Sequence, residues 1–206
     1  MYRPESFEES DLHKLHDFME GHSFATLISH HDNTPEASLL PLLLDRKSGP
    51  NGTLIGHMAR ANPQWKHADG QEVLIIFQGP HAYISPSWCD SDKAVPTWNY
   101  VAVYCYGTLE LETSPDQLRQ IVNNYVTTYE KNLDPSWSAD QAAPGFLDSL
   151  LPAIVGFRIR IDRLEGKWKL NQNHDTDRRR QIIEGLERSS VPNDLKIANL
   201  MKQTIK

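Results

Sequence analysis

The run Gly56-His57-Met58-Ala59-Arg60-Ala61-Asn62-Pro63-Gln64-Trp65 places a permanent cation, a helix start and an aromatic ring at the end of an apolar strand. Asn is a favoured N-cap and Pro suits the first helical position, so a short helix is predicted to open at Asn62-Pro63 with its free N–H groups turned back toward Arg60. A guanidinium beside a row of free amides is anion chemistry, and a phosphate suits it by charge and by fixed donors. Arg60 is the central candidate. Asn62, Gln64 and His57 could support it, and Trp65 or His57 could flank a planar group attached to the phosphate. The same residues also suit an ordinary strand-to-helix turn in which Arg60 meets a nearby carboxylate.

Two further stretches supply what a planar ligand needs. In Phe77 to Trp88 a period of two puts His81, Tyr83 and Ser85 on one face, with Trp88 just beyond and Gly79-Pro80 and Pro86 as boundaries. Val95-Pro96-Thr97-Trp98-Asn99-Tyr100 then offers a hydroxyl, an indole and an amide in three successive residues. An isoalloxazine ring needs this mixture, apolar walls for its benzenoid half and donors or acceptors for its pyrimidine half. Trp65, Trp88, Trp98 and Trp168 equally suit filling a core or a subunit contact, because indoles bury large areas.

The elements that must position these groups are legible in outline. Ser10 to Glu20 reads as a helix with Leu12, Leu15, Phe18 and Met19 on one face and Gly21 closing it. Strands are predicted over 24–29, 37–44, 53–58, 73–77, 82–85, 100–111 and 155–161, each short, rich in β-branched or aromatic residues and bounded by turn formers. Asn51-Gly52 is expected to close a hairpin between the second and third of these. Such spacing suggests an antiparallel barrel. A helical insert over 114–151 interrupts it: Ser114-Pro115-Asp116 starts a helix carrying Leu118, Ile121, Val122, Tyr125, Val126 and Tyr129, and a second, shorter helix covers 145–151. Two amphipathic helices over 177–188 and 193–202 follow, separated by Ser189-Ser190-Val191-Pro192. The expected organisation is a barrel domain over 1–173 and a C-terminal helical annex over 174–206.

Composition excludes several classes. The 206 residues are 39% hydrophobic and 23% charged, enough for a proper core in one folded domain with an annex. Net charge −6 argues against a surface coated for nucleic acid. Arg178-Arg179-Arg180 opens the annex, yet three successive arginines spread over roughly 300° of a helix and form no single recognition stripe, and no helix-turn-helix pairing is visible. Two cysteines, Cys89 and Cys105, are too few for a disulfide framework or a thiolate metal site and fit a reducing cytosol. The first residues are acidic where a signal peptide is apolar, and no segment approaches the roughly 20 apolar residues of a membrane helix. The nine histidines lack a carboxylate cluster at ligand spacing, so no metal is expected.

Gly56 to Trp65, Gly79-Pro80-His81-Ala82-Tyr83-Ile84-Ser85-Pro86-Ser87-Trp88, Val95 to Tyr100 and Trp168-Lys169-Leu170-Asn171-Gln172-Asn173 together closely resemble the PaiB family of FMN-binding transcriptional regulators, and Met1-Tyr2-Arg3-Pro4 with Phe7 fits its start. Order and spacing agree across nearly the whole chain. The resemblance implies a split β-barrel of the FMN-binding, pyridoxamine-phosphate-oxidase-like kind, a mainly β fold with helical additions. It implies a homodimer with two flavin sites at the subunit interface, and a cytoplasmic negative regulator of transcription that acts on DNA directly or through a protein or metabolite partner. Carried over, Arg60 takes the FMN phosphate with Asn62 and His57. Ser85, Trp88, Thr97, Trp98 and Asn99 approach the ring or ribityl chain, and Lys169, Gln172 and Asn173 reach the same ligand from the end of the barrel. Cys89 stands where the family usually has Tyr, and Asn171 and His174 replace the usual Ser and Arg or Lys. An FMN-dependent oxidoreductase using a nicotinamide cofactor is the alternative, since such chemistry resides in the flavin and needs no dedicated acid or base motif.

Overall fold

The structure is a computed structural model describing residues 1–89 and 93–205. In chain order it contains β1 (Glu8–Glu9), α1 (Leu12–Gly21), β2 (Phe24–His31), β3 (Thr34–Pro41), β4 (Leu43–Asp45), β5 (Thr53–Ala59), α2 (Gln64–Ala68) and β6 (Glu72–Ile84). There follow β7 (Thr97–Glu112), α3 (Pro115–Glu130), α4 (Phe146–Leu150), β8 (Ile154–Lys169), α5 (Thr176–Glu187) and α6 (Pro192–Gln203). The strands form one antiparallel sheet in the order β3-β2-β6-β7-β8-β5-β4, with β1 paired to β8.

The residues group into two compact units, one of Met1–Phe18, Gln78–Tyr104 and Glu165–Lys206, the other of Met19–Phe77 and Cys105–Leu164. In the first, Val101, Val103, Leu170, Leu186, Ile197 and Met201 are fully buried. The C-terminal helices belong to this core: Gly185 of α5 lies so close under the Trp88 indole that a Cβ there would stand 2.4 Å from it.

In the second unit α3 uses its apolar stripe as the period of 3.6 predicts. Leu118, Ile121 and Tyr125 are buried, and Gly156 gives the first two room, since a Cβ on it would fall 2.7 and 2.9 Å from their methyls. The Tyr125 hydroxyl reaches the carbonyls of Pro41 and Ile55, at 2.5 and 3.2 Å. Its burial, with Tyr129 nearby, holds the phenol well above its ordinary pKa.

Three element boundaries differ from the sequence expectation. The stretches over 73–77 and 82–85 are one strand, β6, because Gly79 does not end it. The absent Cβ instead admits the Phe18 ring, which a side chain at position 79 would meet at 2.7 Å. Strand β8 continues past Ile161 through an exposed charged run and buries again at Gly166, Lys167 and Trp168. The single strand expected over 37–44 is β3 and β4, broken at Leu42, whose side chain is buried and whose N–H donates to Ser23 O at 2.8 Å. The Asn51-Gly52 hairpin is present between β4 and β5. Positive φ falls on Gly49 and Gly52 rather than on Asn51, whose amide donates to the carbonyls of Ile161 and Asp162.

Candidate functional site

The sequence-predicted residues fall into two groups, one in each unit. In the second unit, β5 delivers His57 and Arg60 to its end. Arg60 is exposed, and both its backbone and its side chain engage the segment before β8: its N–H donates to Ala153 O at 2.8 Å, Nε to Pro152 O at 2.6 Å and a terminal guanidinium N–H to Ile154 O at 2.8 Å. All these acceptors are neutral, and among the described residues Arg60 forms no ion pair. It borders a hollow of about 320 Å³ with Leu118, Arg119, Asp148 and Pro152, in which Arg119 already pairs with Asp148 at 2.8 Å. One positive charge is left over.

The row of free amides expected at Asn62-Pro63 is mostly used internally. Helix α2 begins one residue late, at Gln64, and spans five residues. Asn62 Oδ1 caps Gln64 N at 3.0 Å while its amide donates to Ser38 Oγ at 2.8 Å, and Lys66 N donates to Pro63 O. Gln64 is buried, with its amide donating to Ser29 Oγ and Glu36 O at 3.0 and 3.2 Å. Trp65 Nε1 donates to Arg60 O at 3.0 Å, and its ring lies 5.9 Å from the guanidinium carbon. Asn62, Gln64 and Trp65 thus hold the corner in shape, and Arg60 is its charged group.

His57 stacks edge-on against Tyr125, ring centroids 4.8 Å apart, and burial lowers its pKa from the ordinary histidine value. Because the folded pKa lies below the unfolded one, the unfolded chain takes up the proton first. Stability is therefore expected to fall as pH drops from about 6.5 through the folded pKa. Urea midpoints for wild type and His57→Gln between pH 7.5 and 5 should converge as the wild type loses this increment. Parallel curves would remove His57 as the cause.

In the first unit, Ser85, Thr97, Lys169 and Asn173 line a cavity of about 330 Å³ together with Phe7, Ile84, Pro86, Val95 and Ile182. Cys89, Lys93, Asn171, His174 and Arg178 complete the wall. No carboxylate lines it among the described residues. Lys169 Nζ donates to Thr97 Oγ1 and to Trp98 O, both at 2.5 Å. Burial, then the Lys167 ammonium, lowers its pKa from the ordinary lysine value. Lys167 is itself held by Tyr2 O at 2.9 Å, with the Tyr2 and Tyr100 rings 5.3 Å from its ammonium. Burial and then Arg178 lower the pKa of His174, against a smaller opposing pull from Asp175.

The other predicted residues lie around this cavity rather than in its lining. Trp98 is 54% exposed and meets His81 and Tyr83 on the outer face of the strands, with ring centroids at 6.2 and 5.8 Å. Asn99 is fully buried beneath α6, its amide donating to Met201 Sδ at 3.4 Å. Gln172 shapes the chain leaving β8: its Oε1 accepts from Leu170 N and its amide donates to Trp168 O. The sequence marks Phe7 only as part of the family's start and Arg178 only as part of the arginine triplet, and nothing in it marks Ile182 as a lining residue. The arginine triplet is divided three ways, Arg178 to the cavity, Arg179 buried with a guanidinium N–H donating to Thr204 Oγ1, and Arg180 exposed and paired with Asp177. No cationic stripe remains.

Residues 1–163 match the family model described as "Putative FMN-binding domain". The chain is 35% identical over 207 residues to Protease synthase and sporulation protein PAI 2 of Bacillus subtilis, covering 100% of this chain and 99% of that protein. Among solved structures it is similar to the flavocytochrome Anf3 from Azotobacter vinelandii, with TM-score 0.62 at 12% identity over 79% of this chain and 69% of that one. It is also similar to the FAD and heme binding protein from Mycobacterium smegmatis, with TM-score 0.60 at 16% identity over 86% and 80%. At these identities the structural likeness establishes the fold, an antiparallel split barrel with helices. Among the described residues no helix is long and apolar enough to cross a membrane.

Proposed function

This chain belongs to the FMN-binding domain family whose model spans residues 1–163, and from that membership we propose that it binds FMN and serves as a cytoplasmic, homodimeric regulator of the PaiB kind. The observation that carries the proposal is the cavity of the first unit, where hydroxyl, amide and ammonium groups of four sequence-predicted residues meet apolar walls. Its volume lies within the range of small-molecule sites, at the lower end. The donor set suits the cofactor: Lys169 and Thr97 supply N–H and O–H groups for ring or ribityl oxygens, Asn173 an amide, and Phe7, Ile84 and Ile182 apolar contact. Ser85, which accepts from Ser87 N at 3.2 Å, stands at the same wall. For the second unit, taken by itself, Arg60 is the proposed partner of a phosphate, because it is an exposed guanidinium facing only neutral carbonyls in a chain with an excess of acids. When bound, flavin supplies reversible one- and two-electron redox chemistry, and the protein's contribution is binding and electrostatics.

The regulatory part of the proposal is supported by the full-length likeness to PAI 2. The divided arginine triplet favours a route through a partner or metabolite over a basic helix laid on DNA. The exposed aromatic group of Tyr83 and Trp98, 45% and 54% exposed, suits a subunit contact, where indole and phenol rings are enriched.

Titration of flavin-free protein with FMN, followed by flavin absorbance and fluorescence, tests the binding. Lys169→Met is expected to weaken it by about tenfold to a hundredfold, the loss of one charged hydrogen bond, and Arg60→Ala is expected to weaken binding of a phosphate monoester at the second-unit corner by a similar factor. Equal affinity in wild type and both variants, or no spectral change with wild type, would remove the proposal.

A further inference from the structure

Helix α3 of the second unit has a second face to account for. Leu118, Ile121 and Tyr125 are buried in the core. Arg119, Asn123, Val126 and Glu130, three or four residues apart and therefore in one row, line an open groove whose other wall is drawn from the segment 136–148. The groove consists of two adjoining hollows of about 420 and 360 Å³ that share Asn123, Ala139 and Asp140. From Arg119 to Glu130 the helix rises about 16 Å, the length of about five extended residues.

Polar groups at the two ends are already engaged. Arg119 pairs with Asp148 at 2.8 Å and with Asp116 at 3.3 Å, and Glu130 Oε2 accepts from Trp137 N at 2.9 Å. In the middle, the Asn123 amide and the Asp140 carboxylate have no hydrogen-bond or ion-pair partner among the described residues. A side-chain amide sets a donor beside an acceptor, which is the pattern of a backbone peptide group. A free carboxylate calls for a cation. Apolar contact is offered by Val126, Leu147 and the Trp137 indole, which is 38% exposed. Residues 114–151 hold five acids against Arg119 and Lys131, a net −3 of the chain's −6. Such a field repels nucleic acid and attracts a basic protein segment.

We propose that this groove docks an extended, basic segment of a partner protein, with an arginine or lysine on Asp140, an apolar side chain on Trp137 and Val126, and a backbone peptide group on Asn123. The assignment goes beyond the flavin reading and is independent of it, because none of these residues is a predicted flavin contact. It supplies a surface through which the chain reaches another protein, a role that the divided arginine triplet does not fill.

The test uses the full chain and a short, blocked, fluorescently labelled peptide in which arginine and leucine alternate with serine. Two control peptides carry glutamate in place of arginine and serine in place of leucine. Anisotropy reads the affinity, and NMR of the Trp137 indole and the Asn123 side-chain amide reads the place. The first peptide is expected to shift both signals, and each control to bind at least about tenfold more weakly. Trp137→Ala should weaken binding at least about tenfold, as for a central aromatic anchor. Asp140→Asn should weaken it about twofold to fivefold, as for an exposed ion pair, and Asn123→Leu about threefold to tenfold, the loss of the bonds to one peptide group. Asp140 and Asn123 are exposed, so these two variants decide the matter if Trp137→Ala does not fold. No binding of the first peptide, or binding that the variants leave unchanged, overturns the proposal, the second result placing the attraction elsewhere on the acidic surface. Sedimentation with and without the peptide separates the two sources of a segment. An unchanged species supports a foreign partner, and dissociation into a smaller one shows that a second copy of the chain fills the groove and overturns the assignment.

Discussion

Gly107→Ala is expected to leave the chain unfolded, or to lower its unfolding free energy by more than about 3 kcal/mol, beyond the usual cost of overpacking. At an ordinary strand position the same change would stabilise by up to about 1 kcal/mol through the unfolded state. The sign reverses here because the added Cβ would stand 2.1 Å from Arg160 O and 2.9 Å from its carbonyl carbon, atoms of β8 that have no rotamer to change. Relief requires β7 and β8 to separate, and these are adjacent strands in the middle of the sheet order. Gly21→Ala is the control, at the end of α1, where nothing lies within 4 Å of the added carbon. Urea unfolding of the three proteins decides the matter, and a Gly107→Ala midpoint at or above wild type would mean that this close approach does not exist.

That contact also marks the limit of what periodicity reveals. Alternation along Thr97, Asn99, Val101 and Val103 places these residues on one face, and the structure buries the last three completely. Asn99 therefore follows its strand into the core, whereas the amide type alone suggested a ligand group. The same alternation turns Trp98 outward, so only its carbonyl meets Lys169. The element types and most of the strands were legible because they depend on local pattern. A local reading splits strand β6, because Gly and Pro weigh heavily in it and the packing of Phe18 onto Gly79 is invisible there.

The site was legible where its residues sit in motifs and illegible where distant elements meet. Ser85, Thr97, Lys169 and Asn173 lie in recognisable stretches and converge on one cavity. Phe7 comes from near the N-terminus and Arg178 and Ile182 from the first two turns of α5, and nothing in the sequence places them beside Thr97. The Arg178 to Arg180 triplet shows why: identical residues at successive helical positions point about 100° apart. One reaches the cavity, the next is buried and the third pairs in solvent. Likewise Asn62, Gln64 and Trp65 have the right types for ligand contact but direct their side-chain N–H groups to Ser29, Ser38, Glu36 and Arg60. Residue type suggests hydrogen-bonding capacity, and only the fold decides where it is used.

Phe157→Ala is expected to cost about 3–5 kcal/mol, as for other large buried rings. Adding Gly56→Ala to that variant should cost much less than Gly56→Ala does alone. The ring is fully buried against Gly56, where a Cβ would fall 2.4 Å from its tip and 2.7 Å from a Leu42 methyl. In wild type Gly56→Ala is therefore overpacked, at a cost of about 1–3 kcal/mol. Once the ring is gone the new methyl enters the space it left, and only the Leu42 contact must adjust. The coupling between the two positions should be about 1 kcal/mol or more, in the direction of mutual relief. Since Gly56 and Phe157 face each other in the β5–β8 register, and β5 carries His57 and leads to Arg60, the same pair sets the base of the charged corner. Urea midpoints for the two single variants and the double variant measure the coupling. Strict additivity would show that the ring does not rest on Gly56.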